Sequence, residues 1–246
     1  MNKHLPHSVY LIHGWAANGR IFDGLRPLLP EPWRVHTPDL PGHGNAPSDG
    51  TFDIMAAADA LAAEMPDNSD VVGWSLGGLV TLHLAIRYPH KVRRLCLTSS
   101  FAKFLAASDY PQGQSRTALD KMIALFEQDY PKYMRQFLQL QLLNTPDGEE
   151  IIASVLPDMI KNGTPAALQS ALDALALADA RPFLRQIRQP VLLVYGGKDS
   201  ITPPRMGEYL EQHLPFAELQ IIEKAAHAPF LSHADEFSGL LKRFFG

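Results

Sequence analysis

A chain of 246 residues that is 46% hydrophobic and 20% charged has the size and composition of one large globular domain, or of one domain carrying an insertion. Its formal charge of −4 leaves no electrostatic footprint for nucleic acid. The one cysteine, Cys96 in the apolar run Leu95-Cys96-Leu97, excludes an intrachain disulfide and reads as a small buried hydrophobe.

The segment Met1-Asn2-Lys3-His4-Leu5-Pro6 has no apolar stretch of signal-peptide type, and no run approaches the length of a membrane span. The expectation is a cytoplasmic monomer with no membrane partner. Residues 9–12 read as a buried strand running into His13-Gly14-Trp15. Residues 21–29 have helical spacing and are stopped by Pro30 and Pro32. A second short strand at 34–37 ends in Pro38-Asp39-Leu40-Pro41-Gly42-His43-Gly44, too rich in glycine and proline to be anything but loop. Ile54, Ala58, Leu61 and Met65 share a helix face before Pro66. Then comes Val71-Val72-Gly73-Trp74-Ser75-Leu76-Gly77-Gly78-Leu79, a β-branched run, a small-residue turn and a helix that Pro89 ends. A fourth strand lies at 95–98.

From residue 106 to 181 the pattern changes to amphipathic helical stripes without a strand. Leu119, Met122, Ile123 and Phe126 form one stripe, and Met134, Phe137 and Leu138 a second. Ile151, Ile152, Val155, Leu156 and Met159 form a third, and Leu168, Leu172 and Leu175 a fourth. The separators Tyr130-Pro131, Thr145-Pro146-Asp147-Gly148 and Asn162-Gly163-Thr164-Pro165 carry turn residues. Strand–helix alternation resumes with a strand at 191–195, the turn Gly196-Gly197-Lys198-Asp199, a helix opened by Pro203 and Pro204, and a last strand at 219–222. The final helix aligns Phe237, Leu240, Leu241 and Phe244, with Ser232 and Asp235 in capping-box spacing. The sum is an α/β fold: an open, mostly parallel sheet of about six strands with helices on both faces. Its core takes residues 1–105 and 182–246, and an all-helical lid of residues 106–181 is inserted between them.

Gly73-Trp74-Ser75-Leu76-Gly77 fits G-x-S-x-G, in which a serine sits on a sharp strand-to-helix turn with its hydroxyl held clear. In an open parallel sheet ligands bind outside the carboxyl ends of the strands. Four loops at that edge carry polar residues: His13-Gly14-Trp15, Ser75, Asp199, and Ala225-Ala226-His227-Ala228-Pro229. Serine is a poor nucleophile at neutral pH and needs a base oriented by a third group. The chain order Ser75, Asp199, His227 is that of the α/β-hydrolase triad, with His227 as base and Asp199 as its orienting carboxylate. Asp39 comes too early in that order and reads as a loop-shaping residue. His13 reads as structural, and His233 is the one competitor to His227. The oxyanion donors expected are the backbone N–H groups of Leu76 and Trp15. There is no HExxH, CxxC, GxGxxG or GxxxxGK[ST] pattern, so no metal and no cofactor are implied.

Through these stretches, and through Lys224-Ala225-Ala226-His227-Ala228-Pro229-Phe230, the chain resembles the α/β-hydrolases and, more narrowly, the pimeloyl-[acyl-carrier protein] methyl ester esterases of biotin synthesis. The lid stretch Phe137-Leu138-Gln139-Leu140-Gln141 matches as well. The resemblance implies a substrate held by Trp15, Ser75, Leu76, Phe137, Leu138, Gln139, Leu140, Gln141 and His227. It also implies an acyl-carrier protein as partner and removal of a methyl group from a pimeloyl chain. Two departures stand out: little precedes Val9, so a leading antiparallel strand pair should be missing or truncated. In addition, Asp147, Glu149, Glu150 and Asp158 in the lid oppose Lys121, Lys132, Arg135 and Lys161, where an acidic carrier calls for bases. The rival readings are another hydrolase on this scaffold (a lipid esterase, C–C bond hydrolase or proline iminopeptidase) and a ligand-binding receptor that keeps the triad but turns over negligibly.

Overall fold

The computed structural model describes residues 7–143, 145, 147–161 and 165–246, apart from the side chains of Asp158 and Pro165. Residues 1–6 and Asn144 lie outside the described residues, as do Pro146 and 162–164 of the expected separators. Among the described residues six strands form one sheet: β1 (Ser8–Ile12), β2 (Arg34–His36), β3 (Ser69–Trp74), β4 (Val92–Thr98), β5 (Val191–Gly196) and β6 (Ala217–Ile222). Their order is β2-β1-β3-β4-β5-β6, and every pair is parallel. No antiparallel strand pair precedes β1 among the described residues. Strands β3 and β5 are buried along their whole length, which is why they read as continuous apolar runs. The edge strands β2 and β6 alternate or face solvent instead.

The helices are α1 (Ile54–Glu64), α2 (Leu76–Arg87), α3 (Arg116–Gln128), α4 (Tyr130–Gln141), α5 (Gly148–Lys161), α6 (Pro165–Leu177), α7 (Pro204–His213), α8 (Pro229–Ser232) and α9 (Ala234–Phe245). Right-handed crossovers put α1, α2 and α7 on one face of the sheet and α9 on the other. Helices α3 to α6 interrupt the alternation between β4 and β5, forming the inserted helical lid. Strand order reverses between β1 and β3, and their carboxyl ends lie side by side, with Ile12 paired to Gly73. That reversal opens a crevice above the sheet, the usual ligand position in this architecture.

Two local expectations are corrected. Residues 21–29 do not form one α-helix; they form two 3-10 turns, Gly19–Phe22 and Arg26–Leu28. Pro27 has no N–H to donate to the Asp23 carbonyl, so the chain keeps i→i−3 bonds such as Leu25 N–H to Phe22 O at 3.0 Å. Ser232 does not cap the last helix. It ends α8, donates to the Ala228 carbonyl at 3.3 Å, and leaves His233 at the N-cap of α9.

The far edge of the sheet is fastened by charge. Asp70, fully buried at the start of β3, accepts from Arg93 Nε at 3.0 Å and contacts His7. Arg93 also donates to the Phe245 carbonyl at 2.8 Å, tying α9 to β4. A buried carboxylate stripped of its cation is strongly destabilising. Arg93→Met is therefore expected to lower the unfolding free energy by about 3 kcal/mol, read by urea titration, and to leave ester turnover at low denaturant unchanged. Arg93→Met with unaltered stability would contradict this role.

Candidate active site

Ser75 occupies a strained turn between β3 and α2, with φ 54° and ψ −118°. A non-glycine residue enters that region only at a cost, and the surroundings enforce it. A Cβ on Gly73 would lie 2.6 Å from Gly78 Cα, and one on Gly77 would run into the carbonyl oxygens of Ile12 and His13. Only glycine permits this closeness. The turn is held by Ser75 N–H donating to Thr98 O at 3.1 Å, and by Ser100 Oγ donating to Ser75 O at 3.1 Å. The His13-Gly14-Trp15 loop lies against the same turn, since a Cβ on Gly14 would sit 3.2 Å from Ser75 Cβ. Among the described residues the backbone N–H groups of Trp15 and Leu76 have no acceptor. Two donors beside one hydroxyl are the raw material of an oxyanion hole.

Asp199, just past β5, and His227, past β6, meet above the sheet. His227 Nδ1 donates to Asp199 Oδ2 at 2.9 Å, with both residues buried. Asp199 Oδ1 accepts the N–H groups of Ile201 and Thr202, each at 2.9 Å. Burial acts to raise the Asp199 carboxyl, but the facing His227 and the Thr202 hydrogen bonds outweigh it and hold it below the ordinary carboxylate value. The elbow reaches His227 through its tryptophan. Trp74 Nε1 donates to the His227 carbonyl at 3.0 Å, and the two rings are 5.6 Å apart. Among the described residues the Ser75 hydroxyl has no hydrogen-bond partner, so the Asp199–His227 contact is formed and a Ser75–His227 bond is not. Such bonds are commonly long until substrate is bound.

The rivals take other work. His13 donates from Nδ1 to Gly14 O at 2.8 Å and accepts the Leu40 N–H on Nε2 at 2.9 Å. Asp39 accepts the N–H groups of Gly19 and Asn45 at 2.7 and 2.8 Å, holding the loop as the sequence suggests. His233 contacts Ser232 Oγ at 2.8 Å and has no carboxylate partner among the described residues.

The lid closes over Trp15. Its indole N–H donates to Leu168 O of α6 at 2.8 Å, and its ring packs edgewise on Phe126 of α3 and Phe137 of α4, at 5.0 and 5.8 Å. Trp15 and Phe126 also line an open, mostly apolar pocket of about 360 Å³, together with Ile123, Glu127, Tyr130, Leu168, Gln169 and Leu172. Within 137–141 the helix divides the run. Leu138 and Gln141 are buried and Phe137 is half-buried. Leu140 is 42% exposed, and Gln139 donates to Glu149 on the surface. Gln141 O also accepts the Ala228 N–H at 3.4 Å, joining α4 to the loop that carries His227. Reading the sequence missed Phe126 as a partner of Trp15; its place in the apolar stripe of α3 marks burial but not what it covers.

Among the described residues no three His, Cys, Asp or Glu side chains gather as a metal site, and no helix is long and apolar enough to cross a membrane. Residues 7–234 match the α/β-hydrolase fold model, and the chain belongs to that family. An esterase from Exiguobacterium antarcticum superposes with a TM-score of 0.89 at 24% identity, covering 97% of this chain and 91% of that one. Closer in sequence is the pimeloyl-[acyl-carrier protein] methyl ester esterase of Neisseria meningitidis serogroup C, 60% identical over 98% of this chain and 96% of the relative. The protein of that name from Chromobacterium violaceum is 37% identical over 93% and 90%. At this identity and coverage the chain belongs to the family of these esterases, which are carboxylic ester hydrolases.

His13 supplies a test of the buried frame. Burial, and next the facing His43, lower its pKa from 6.5 to about 3. The folded state resists a proton that the unfolded chain binds below pH 6.5, so this contribution to stability is full above 6.5 and is lost as pH falls from there towards 3. His13→Gln is expected to flatten the pH dependence of the melting temperature across that window; a variant curve parallel to wild type would contradict it.

Proposed function

We propose that Ser75, His227 and Asp199 are nucleophile, base and orienting acid of an esterase acting on the methyl ester of a pimeloyl chain carried by an acyl-carrier protein. The observation that carries the chemistry is the 2.9 Å Asp199–His227 bond set beside a serine on a strained elbow. In the first step Ser75 Oγ bonds to the ester carbonyl carbon as its proton passes to His227 Nε2. Asp199 steadies the imidazolium. The oxyanion is received by the N–H groups of Trp15 and Leu76. The bond to the methoxy oxygen then breaks, and methanol leaves with the proton from His227. Water, deprotonated by the same histidine, hydrolyses the acyl-serine and restores Ser75.

The substrate assignment rests on the relatives' names and on the apolar cavity beside Trp15, whose aliphatic and aromatic walls suit a chain of methylenes. Residues 106–181 act as its lid. Within Phe137–Gln141, Phe137 packs on Trp15 and the buried side chains of Leu138 and Gln141 support the acyl site. Gln139 and Leu140 face outward and serve the lid's surface. Trp15, Ser75, Leu76 and His227 contact the ester itself. The carrier meets the lid's exterior, where Arg135 is engaged by Glu149. The protein acts as a monomer in the cytoplasm, with no metal or organic cofactor in the reaction.

Ser75→Ala is expected to lower methanol release from methyl-pimeloyl-carrier protein by three orders of magnitude or more, roughly the loss seen on removing a triad member, with an unchanged melting temperature. Retained turnover would remove Ser75 from its role. Running the free dimethyl ester beside the carrier-bound one separates chemistry from recognition. A higher kcat/KM on the carrier is expected, and equal values would show that the carrier is not read.

A further inference from the structure

Thr202, three residues after Asp199, is fully buried and touches both partners of the acid–base pair. Its Oγ1 lies 2.7 Å from Asp199 Oδ2, 2.9 Å from the Ser99 carbonyl and 3.1 Å from His227 Nδ1. A hydroxyl has a single proton to give. The shorter contact, to a carboxylate, is also the stronger, so the proton points mainly to Oδ2 and is shared with the Ser99 carbonyl. The free lone pairs then face His227 Nδ1–H, which is shared between Oδ2 and Oγ1. Thr202 therefore holds Asp199 at both oxygens: Oδ1 through its N–H, beside that of Ile201, and Oδ2 through its hydroxyl.

The support has an anchor of its own. Ser99, which follows β4, has φ +46°, and its carbonyl meets Thr202 instead of continuing the sheet. Its N–H still donates to Val194 O at 3.0 Å. The next residue is built into the same frame, with Ser100 Oγ donating to Ser75 O and Tyr195 Oη donating to Ser100 O at 2.7 Å. The backbone of residues 99–100 thus braces the acid on one side and the nucleophile's turn on the other.

We propose that Thr202 is a positioning residue: its hydroxyl fixes the Asp199 carboxylate so that Oδ2 stays aimed at His227 Nδ1. It acts through Asp199 and contacts no reacting atom. The inference rests on the assignment of Asp199 and His227 as acid and base.

The test compares Thr202→Val, which keeps the shape and removes the hydroxyl, with Thr202→Ser, which keeps the hydroxyl, on a p-nitrophenyl ester. Thr202→Val is expected to lower kcat about tenfold, in the range for a lost hydrogen bond to a charged group, with KM unchanged. Thr202→Ser should stay within about twofold of wild type. The far-downfield proton resonance of His227 Nδ1–H should move in the valine variant and return in the serine variant. In an Asp199→Asn background Thr202→Val should cost nothing further, because residues that act as a unit are not additive. Thr202→Ala serves for the same comparisons if the valine variant does not fold. Wild-type kcat in the hydroxyl-free variants, or a loss that repeats in full in the Asp199→Asn background, would overturn the positioning role. Wild-type activity of Asp199→Asn alone would instead overturn the assignment beneath it.

Discussion

The structure turns on a steric constraint, the absence of room around Ser75. The elbow holds a non-glycine residue at φ 54° because Gly73 and Gly77 let α2 press onto β3 and onto the end of β1. Strain of that kind survives only where neighbours over-determine it. Here the neighbours are backbone: Thr98 O on the Ser75 N–H, and Ile12 and His13 carbonyls against Gly77. The same closeness brings the Trp15 loop beside Ser75 and leaves two N–H donors without acceptors among the described residues. The proposed nucleophile and oxyanion donors thus come from one packing event at the reversal of strand order.

The proposed base and acid are held differently. His227 and Asp199 sit on loops after the last two strands, which press together where a Cβ on Gly196 would run into the Ala226 carbonyl oxygen, but no strained turn fixes their side chains. Side-chain and carbonyl contacts do it instead: the Trp74 indole on the His227 carbonyl, the Asp199–His227 bond, and the Thr202 hydroxyl. The lid adds a third kind of support. Trp15 is clamped to α6 by its indole and walled by rings from α3 and α4, and Gln141 O takes the N–H of the residue after the base. Lid and His227 loop are therefore joined by a backbone hydrogen bond.

Much of this was legible in the amino-acid sequence because it is written in local signals. The six strands appear as apolar, β-branched runs, and the helical insertion as a loss of strand periodicity after residue 106. Ser75, Asp199 and His227, the proposed triad, appear as polar residues at strand ends in a diagnostic order. What escaped was set by tertiary contact or by single residues within a pattern. The spacing of Ile21, Leu25 and Leu29 suits a helix, but Pro27 removes a donor and leaves 3-10 turns. Ser232 and Asp235 have the spacing of a cap, yet the intervening short helix places His233 at the N-cap instead. Thr202 carries a faint signal, a hydroxyl three residues beyond the acid, which means nothing until Ser99 and His227 are seen to face it. The division of Phe137–Gln141 into buried and outward residues likewise follows only from how α4 docks.

The central claim, that Ser75 attacks while Trp15 and Leu76 N–H groups receive the oxyanion and His227 the proton, is tested most directly by a crystal structure of the enzyme inactivated with a methyl alkylphosphonate. The account predicts phosphorus bonded to Ser75 Oγ, the phosphoryl oxygen within hydrogen-bond reach of both N–H groups, and His227 Nε2 turned towards the Ser75 oxygen. An adduct on another residue, or a phosphoryl oxygen pointing away from the Trp15 and Leu76 amides, would contradict it.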